Sequence, residues 1–146
     1  MKKIIHHKPP KHHYNADACV LWCFDDRFSS MLGSFKKKLK FKHIDLIKIA
    51  GGAKVLATRQ KEFEEKYVLD QLEKSIRLHD AKRVVLMVHS ECGAYGKHFK
   101  NEASEKKFYH AELKKAKRTV IRFFKAKKIK KPIEIYYADF SGLWRT

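Results

Sequence analysis

The chain has few cysteines, few acids and no long apolar run. Its three cysteines, Cys19, Cys23 and Cys92, are an odd set in 146 residues, with no apolar segment near the start. That argues against a disulfide framework and for reduced thiols, free to hold a metal, in a soluble cytoplasmic protein. No apolar run approaches the about 18 residues of a membrane span, so a helical membrane protein is excluded. Acids number 16 against 34 Lys and Arg, a net charge of +18. Such a surface attracts polyanions, which bears on partners rather than on fold. No internal repeat or linker-like stretch divides the sequence. With 44% hydrophobic residues, a chain of this length builds one domain that buries about two-thirds of its unfolded surface.

What is present reads as alternating strands and helices. Residues 1–17, rich in Lys, His and Pro and without hydrophobic period, are expected to form an extended or mobile arm ahead of a domain at 18–146. The run Ala18 to Cys23 suits a strand covered on both faces. A polar connecting segment, with a helical turn or two, leads to a second strand from Ile44 to Ala50, closed by Gly51 and Gly52. From Ala53 to about His79, Phe63, Tyr67, Val68, Leu72 and Ile76 recur at helical spacing. Arg83 to His89 is a third strand. Tyr109, Leu113, Ala116, Val120 and Phe124 mark a long helix from about Ser104 to Lys128. Ile133 to Phe140 is a fourth strand behind Pro132. The alternation predicts a single-domain α/β fold, Rossmann-like: a parallel sheet of order about 2-1-3-4 with helices on its faces.

In such sheets ligands collect beyond the carboxyl ends of the strands, where strand order reverses. Cys23 ends strand one and His89 ends strand three. A tight turn through Ser90, Glu91 and Gly93 then returns Cys92 to the same place. Two thiolates and an imidazole make a three-ligand zinc set, with the fourth position left to a carboxylate, water or substrate. Asp25, two residues after Cys23, is near enough to be that carboxylate. Cys19 would lie about 13 Å from Cys23 along a strand, too far to share a tetrahedron. The expected site is therefore open, and Cys19 is expected to be a small buried hydrophobe.

These residues carry a family resemblance. C-x-D-x-R at Cys23, Asp25 and Arg27, followed by H-x-x-C-G at His89, Cys92 and Gly93, resembles the β-class carbonic anhydrases. The glycine-bearing loop at 49–55 and Tyr137, Asp139, Ser141 and Gly142 resemble further parts of that family, so the likeness runs over about 18–142. It implies one zinc per chain on Cys23, His89 and Cys92, an Asp25–Arg27 dyad, and a homodimer or higher homo-oligomer. It further implies reversible hydration of carbon dioxide to bicarbonate by a zinc-bound hydroxide that Asp25 orients, Arg27 holding Asp25 in turn. Thiolate ligands donate more charge than imidazoles, so activity is expected to rise on the alkaline side. Gly51 and Gly52 are expected to admit a small anion such as bicarbonate close to their amides. The family's helices ahead of the first strand have no counterpart here, where the basic arm stands.

Other readings compete. Relatives of this family hydrolyse carbonyl sulfide or carbon disulfide on the same zinc site. A zinc-bearing fold without catalysis could instead use its charge on nucleic acid, since residues 97–131 carry 14 Lys or Arg and 3 acids. No recognition motif accompanies that charge, which alone gives salt-sensitive, sequence-independent contact. His6, His7, His12 and His13 are expected to lie in a solvated arm, Asp26 and Glu91 to be solvated or locally paired, and Trp22, Phe24 and Trp144 to be core or interface aromatics.

Overall fold

The computed structural model describes residues 2–58 and 61–146. Five strands form one sheet: β1 (Ala18–Cys23), β2 (Ile44–Ile49), β3 (Val84–His89), β4 (Ile133–Asp139) and β5 (Gly142–Arg145). Their order is β2-β1-β3-β4-β5. The first four run parallel and β5 turns back antiparallel to β4. The expected order of four parallel strands is thus the body of the sheet, with a hairpin strand added at one edge. β1 and β3 are buried along their whole length, which is why both read as unbroken apolar runs. β2 lies at the other edge, mixes Asp45 and Lys48 into its run, and leaves Leu46 exposed.

Four helices cover the sheet: α1 (Ser29–Lys38), α2 (Lys54–Ala57), α3 (Glu62–His79) and α4 (Glu102–Ala126). Phe35 of α1 packs against Trp22 and Tyr136, whereas Tyr109 of α4 stacks on Tyr137. Neighbouring residues of a strand point to opposite faces, so α1 and α4 flank opposite sides. The periodicity of α4 is obeyed, with Tyr109, Leu113, Ala116, Val120 and Phe124 all buried. Asn101 begins the helix with a capping box, its side chain accepting from the Ser104 amide, which satisfies amides the helix itself cannot.

The helix expected from Ala53 to His79 is two helices. α2 ends after one turn and Thr58 is extended. Arg59 and Gln60, within the expected helix, lie outside the described residues. The Thr58 hydroxyl donates to Glu112 of α4, a tertiary bond that draws this residue out of the helical path. Of the residues expected on the buried face, Val68 and Leu72 are buried, with Leu69 beside them, whereas Phe63 and Tyr67 are 67% and 61% exposed. The connecting segment after the first strand is longer in helix than expected: a 3-10 turn at Asp26–Phe28 runs into the ten residues of α1.

Residues 2–12 are exposed and lack regular structure. From His13 the chain is docked. His13 Nε2 donates to the Leu78 carbonyl, the Tyr14 hydroxyl donates to Asp45, and Ala16 is fully buried with its amide on the His79 carbonyl. Among the described residues no helix is long and apolar enough to cross a membrane.

Candidate metal centre

Cys23 is the last residue of β1 and His89 the last of β3, two strands that lie side by side. Parallel pairing brings both ends to one end of the sheet, and the chain then turns sharply. Ser90 donates its amide to the Ala138 carbonyl of β4. Glu91 takes a left-handed φ of 50°, after which Cys92 faces back towards the strands. Two residues of α4 hold this turn: Glu105 accepts the Glu91 amide at 2.7 Å and the Tyr109 hydroxyl accepts the Cys92 amide at 3.3 Å. Neither was visible as a site residue in the sequence. The available signal was their i, i+4 spacing on a helix that follows the turn.

The result is a buried group in which the ligand atoms of Cys23, His89 and Cys92 lie within 4.8 Å of one another. His89 is wholly buried. Its Nδ1–H donates to the Ser90 carbonyl at 2.7 Å, so the lone pair is on Nε2. Among the described residues that Nε2 has no hydrogen-bond partner. A buried acceptor left unmatched is costly in a folded protein, and a carbonyl on the other ring nitrogen is the usual support of a metal-bound histidine. Phe28 packs its ring 4.4 Å from the imidazole and fixes it from the side. The Cys92 thiol, hydrogen-bonded to Cys23, lowers the Cys23 thiol to about 4, and His89 adds to the effect. Cys92 moves the other way, raised first by Cys23 and then by burial. The two thiols thus lie close enough to share a charge, and a cation between them would favour the thiolate on both.

The glycine loop supports this group from below. Gly51 donates its amide to Cys23 Sγ at 3.3 Å, and the Gly52 amide goes to the Ile49 carbonyl. Both amides expected to face a small anion are thus engaged within the protein. Gly52 has φ +55°, and a Cβ there would sit 2.3 Å from the Met87 carbonyl oxygen. Only glycine lets the loop approach β3 this closely.

Asp25 stands beside Cys23, His89 and Cys92 and outside their group. Its Oδ2 is 3.9 Å from His89 Nε2. Arg27 grips the carboxylate from two sides, Nη2 donating to Oδ2 at 2.8 Å and Nε to Oδ1 at 3.1 Å, while the Arg27 amide also donates to Oδ1. The guanidinium holds the Asp25 carboxyl below its usual range. Arg27 is in turn tied to the ligand turn, donating to the Glu91 carbonyl at 3.2 Å and lying 3.4 Å from its carboxylate, so Glu91 is locally paired. A cleft of about 680 Å³, lined in part by Glu91, Cys92, Lys97, His98 and Phe99, opens beside Cys92. Phe24 is exposed next to Asp25, and Cys19 is buried and apart from the group, its thiol pushed up to about 12 by burial.

The comparisons with known proteins agree with this architecture. The β-carbonic anhydrase isoform I of Trichomonas vaginalis has a similar structure (TM-score 0.60, 16% identity), covering 96% of this chain and 87% of its own. The carbonic anhydrase of Glaciozyma antarctica matches at TM-score 0.52 and 13% identity over 91% and 83%. The β-carbonic anhydrase of Aspergillus fumigatus matches at 0.50 and 12% over 91% and 76%. At these identities the likeness is one of fold. No curated protein matches by sequence. The sequence pattern of the family described as "Putative carbonic anhydrase" matches residues 14–137, a span holding Cys23, Asp25, Arg27, His89 and Cys92. The chain belongs to the carbonic anhydrase family and has the fold of its β-class members.

Proposed function

We propose that the protein is a zinc-dependent carbonic anhydrase, with Cys23, His89 and Cys92 holding the metal and Asp25 and Arg27 acting as a dyad beside it. One observation carries the reading: the unpartnered, wholly buried Nε2 of His89 faces two thiols, with a carboxylate restrained at 3.9 Å. When bound, zinc supplies the Lewis acidity that makes hydroxide available near neutral pH, moderated by two thiolate ligands, so that turnover rises towards alkaline pH.

The chain's own residues do the rest. The Ser90 carbonyl keeps the His89 proton on Nδ1. Asp25, ionised and gripped by Arg27, is an acceptor that can take the hydrogen bond of an attacking water-derived nucleophile and aim it at carbon dioxide. The Arg27 fork, anchored on Glu91, keeps the carboxylate from swinging into the metal group. Gly51 acts on the Cys23 sulfur, and Gly52 permits the close packing that places it there. This reading includes a second copy of the chain, for which the exposed Phe63 and Tyr67 of α3, beside Ile49 and Val55 at the β2 edge, offer an apolar face. It includes a reducing cytoplasm, in which three free cysteines are stable.

The test is stopped-flow hydration of carbon dioxide by zinc-loaded protein, with Arg27→Ala beside it and carbonyl sulfide as a second substrate. Arg27→Ala should keep about one zinc per chain and lose about 100-fold in turnover, the usual scale for a lost orienting group. Undiminished turnover in that variant removes the dyad. Turnover of carbonyl sulfide alone changes the substrate, and a zinc-loaded chain inert to both is not an enzyme of this type.

A further inference from the structure

α3 and α4 are both long, amphipathic and exposed on one side, but their charges are arranged differently. On α3 the cations are matched along the helix, Lys66 with Glu62, Lys74 with Asp70 and Arg77 with Glu73. On α4 the exposed residues Lys107, Lys114, Arg118, Arg122 and Lys125 fall within about 80° of one another around the axis and span about 27 Å along it. Among the described residues none of the five has an ion pair. The pairs made by α4 use other cations, Lys106 and Lys115. The acids of α4 stand clear of the stripe: Glu102 and Glu105 lie in the first turn, and Glu112 is buried. Lys114, Arg118 and Arg122 follow one another at i, i+4 and i+8, a like-charge spacing that works against the helix. A counter-charge laid along the ridge relieves it.

We propose that this ridge docks on the phosphate backbone of double-stranded nucleic acid, without reading sequence, while the metal centre stays open. The ridge is a single convex helix face of a size that a major groove about 12 Å wide admits. An anionic membrane is the poorer fit, because a helix that settles on lipid presents a broad apolar face. Here Ile121, 47% exposed, is the large hydrophobic side chain exposed on the helix. Lys107 lies between Glu105 and Tyr109, which hold Glu91 and Cys92, and the other four cations lie beyond that turn; none of the five lines the cleft, so a duplex along Lys114 to Lys125 leaves it open. The proposal is independent of the zinc reading.

The experiment measures binding of a random-sequence duplex by fluorescence anisotropy from about 50 to 200 mM salt, for the full chain and two variants. One carries Lys114→Gln, Arg118→Gln, Arg122→Gln and Lys125→Gln. The other carries Lys36→Gln, Lys37→Gln, Lys38→Gln and Lys40→Gln, at the end of α1 on the opposite side of the sheet. Each lowers the formal net charge from +18 to +14 (18 minus 4). With five phosphate contacts, the slope of log K against log salt is about −4.5 for the unaltered chain, and about −1 after the α4 substitutions, a loss on the order of 10³-fold at 0.1 M salt. The α1 variant should keep the steep slope. Equal losses in the two variants reduce the effect to net charge and overturn the proposal. So does binding to phosphatidylserine vesicles with no binding to the duplex.

Discussion

Two polar clusters, one half-buried and one buried, sit at opposite ends of the parallel sheet, and they differ in what they leave unmet. At the amino ends of the strands, the Asp45 carboxylate accepts from the Ser75 hydroxyl at 2.6 Å, the Tyr14 hydroxyl at 2.8 Å and His79 Nδ1 at 2.9 Å. At the carboxyl ends, Cys23, His89 and Cys92 have their outer atoms supported by the backbone, and an imidazole nitrogen faces inward with nothing to bind. The first cluster is complete without a ligand and ties the arm, β2 and α3 together. The second has buried ligand capacity that the protein itself does not use. Unmet capacity, more than the mere presence of histidine or cysteine, is what separates a ligand site from a structural one.

The contrast is broken most sharply by exchanging the consequences of mutation. Cys92→Ala should reduce zinc to a small fraction of one equivalent and abolish turnover, by about 10³-fold or more, while costing the metal-free chain only about 1 kcal/mol. Asp45→Ala should do the reverse. It strands three donors and should cost about 3 kcal/mol in chemical unfolding, with zinc content unchanged. Metal analysis and denaturant titration on the same preparations decide the matter. Stoichiometric zinc in Cys92→Ala, or zinc loss without destabilisation in Asp45→Ala, would merge the two clusters into one kind.

A smaller effect separates the metal loop from an ordinary turn. Gly52 and Gly96 share a left-handed φ, +55° and +57°, but a Cβ meets the Met87 carbonyl at Gly52 and nothing within 4 Å at Gly96. Gly96→Ala should therefore cost about 1 kcal/mol, the conformational penalty alone, and Gly52→Ala about 3 kcal/mol or more, with weaker zinc retention. Equal costs measured by denaturant unfolding would mean that β3 yields to the intruding methyl and that the close approach does not shape the site.

Much of this was legible in the chain because it depends on local pattern. The apolar runs at Ala18–Cys23 and Val84–His89 are continuous because both strands are covered on both faces, and their ends announce Cys23 and His89. The period of α4 is legible because one face meets the sheet throughout. What was not legible depends on partners distant in sequence. Thr58 leaves the helical path in concert with Glu112, and Phe63 and Tyr67 are turned outward because α3 meets the sheet through Val68 and Leu72. β5 follows a tight turn in which Asp139 accepts from the Ser141 hydroxyl and the Gly142 amide, and its four residues are too short for a period. Tyr14 and His13 belong to the fold only because α3 and β2 receive them, so an arm expected to extend over 1–17 is docked from His13 onward. Glu105 and Tyr109 hold the turn of the candidate metal group through the Glu91 and Cys92 amides, which leave no mark on residue type.

The smallest expected effect concerns acid. Burial pushes the Asp45 carboxyl up, but hydrogen bonds from Ser75, Tyr14 and His79 outweigh it and hold it below its ordinary value of 3.8. A carboxylate depressed in the folded state stabilises fully above its unfolded pKa, and that contribution is lost as pH falls through the folded one. Asp45→Asn, which keeps the size and removes the charge, should thus lie below the unaltered chain in stability at about pH 6, with the gap constant down to about pH 4 and closing below it. Denaturant unfolding at several pH values reads the gap directly. A gap that is unchanged down to the lowest pH at which both chains stay folded would mean that Asp45 acts by shape and not by charge. A gap that closes already above about pH 5 would mean that the carboxyl is not held low, and that the cluster at the amino ends of the strands is as incompletely matched as the one at the carboxyl ends.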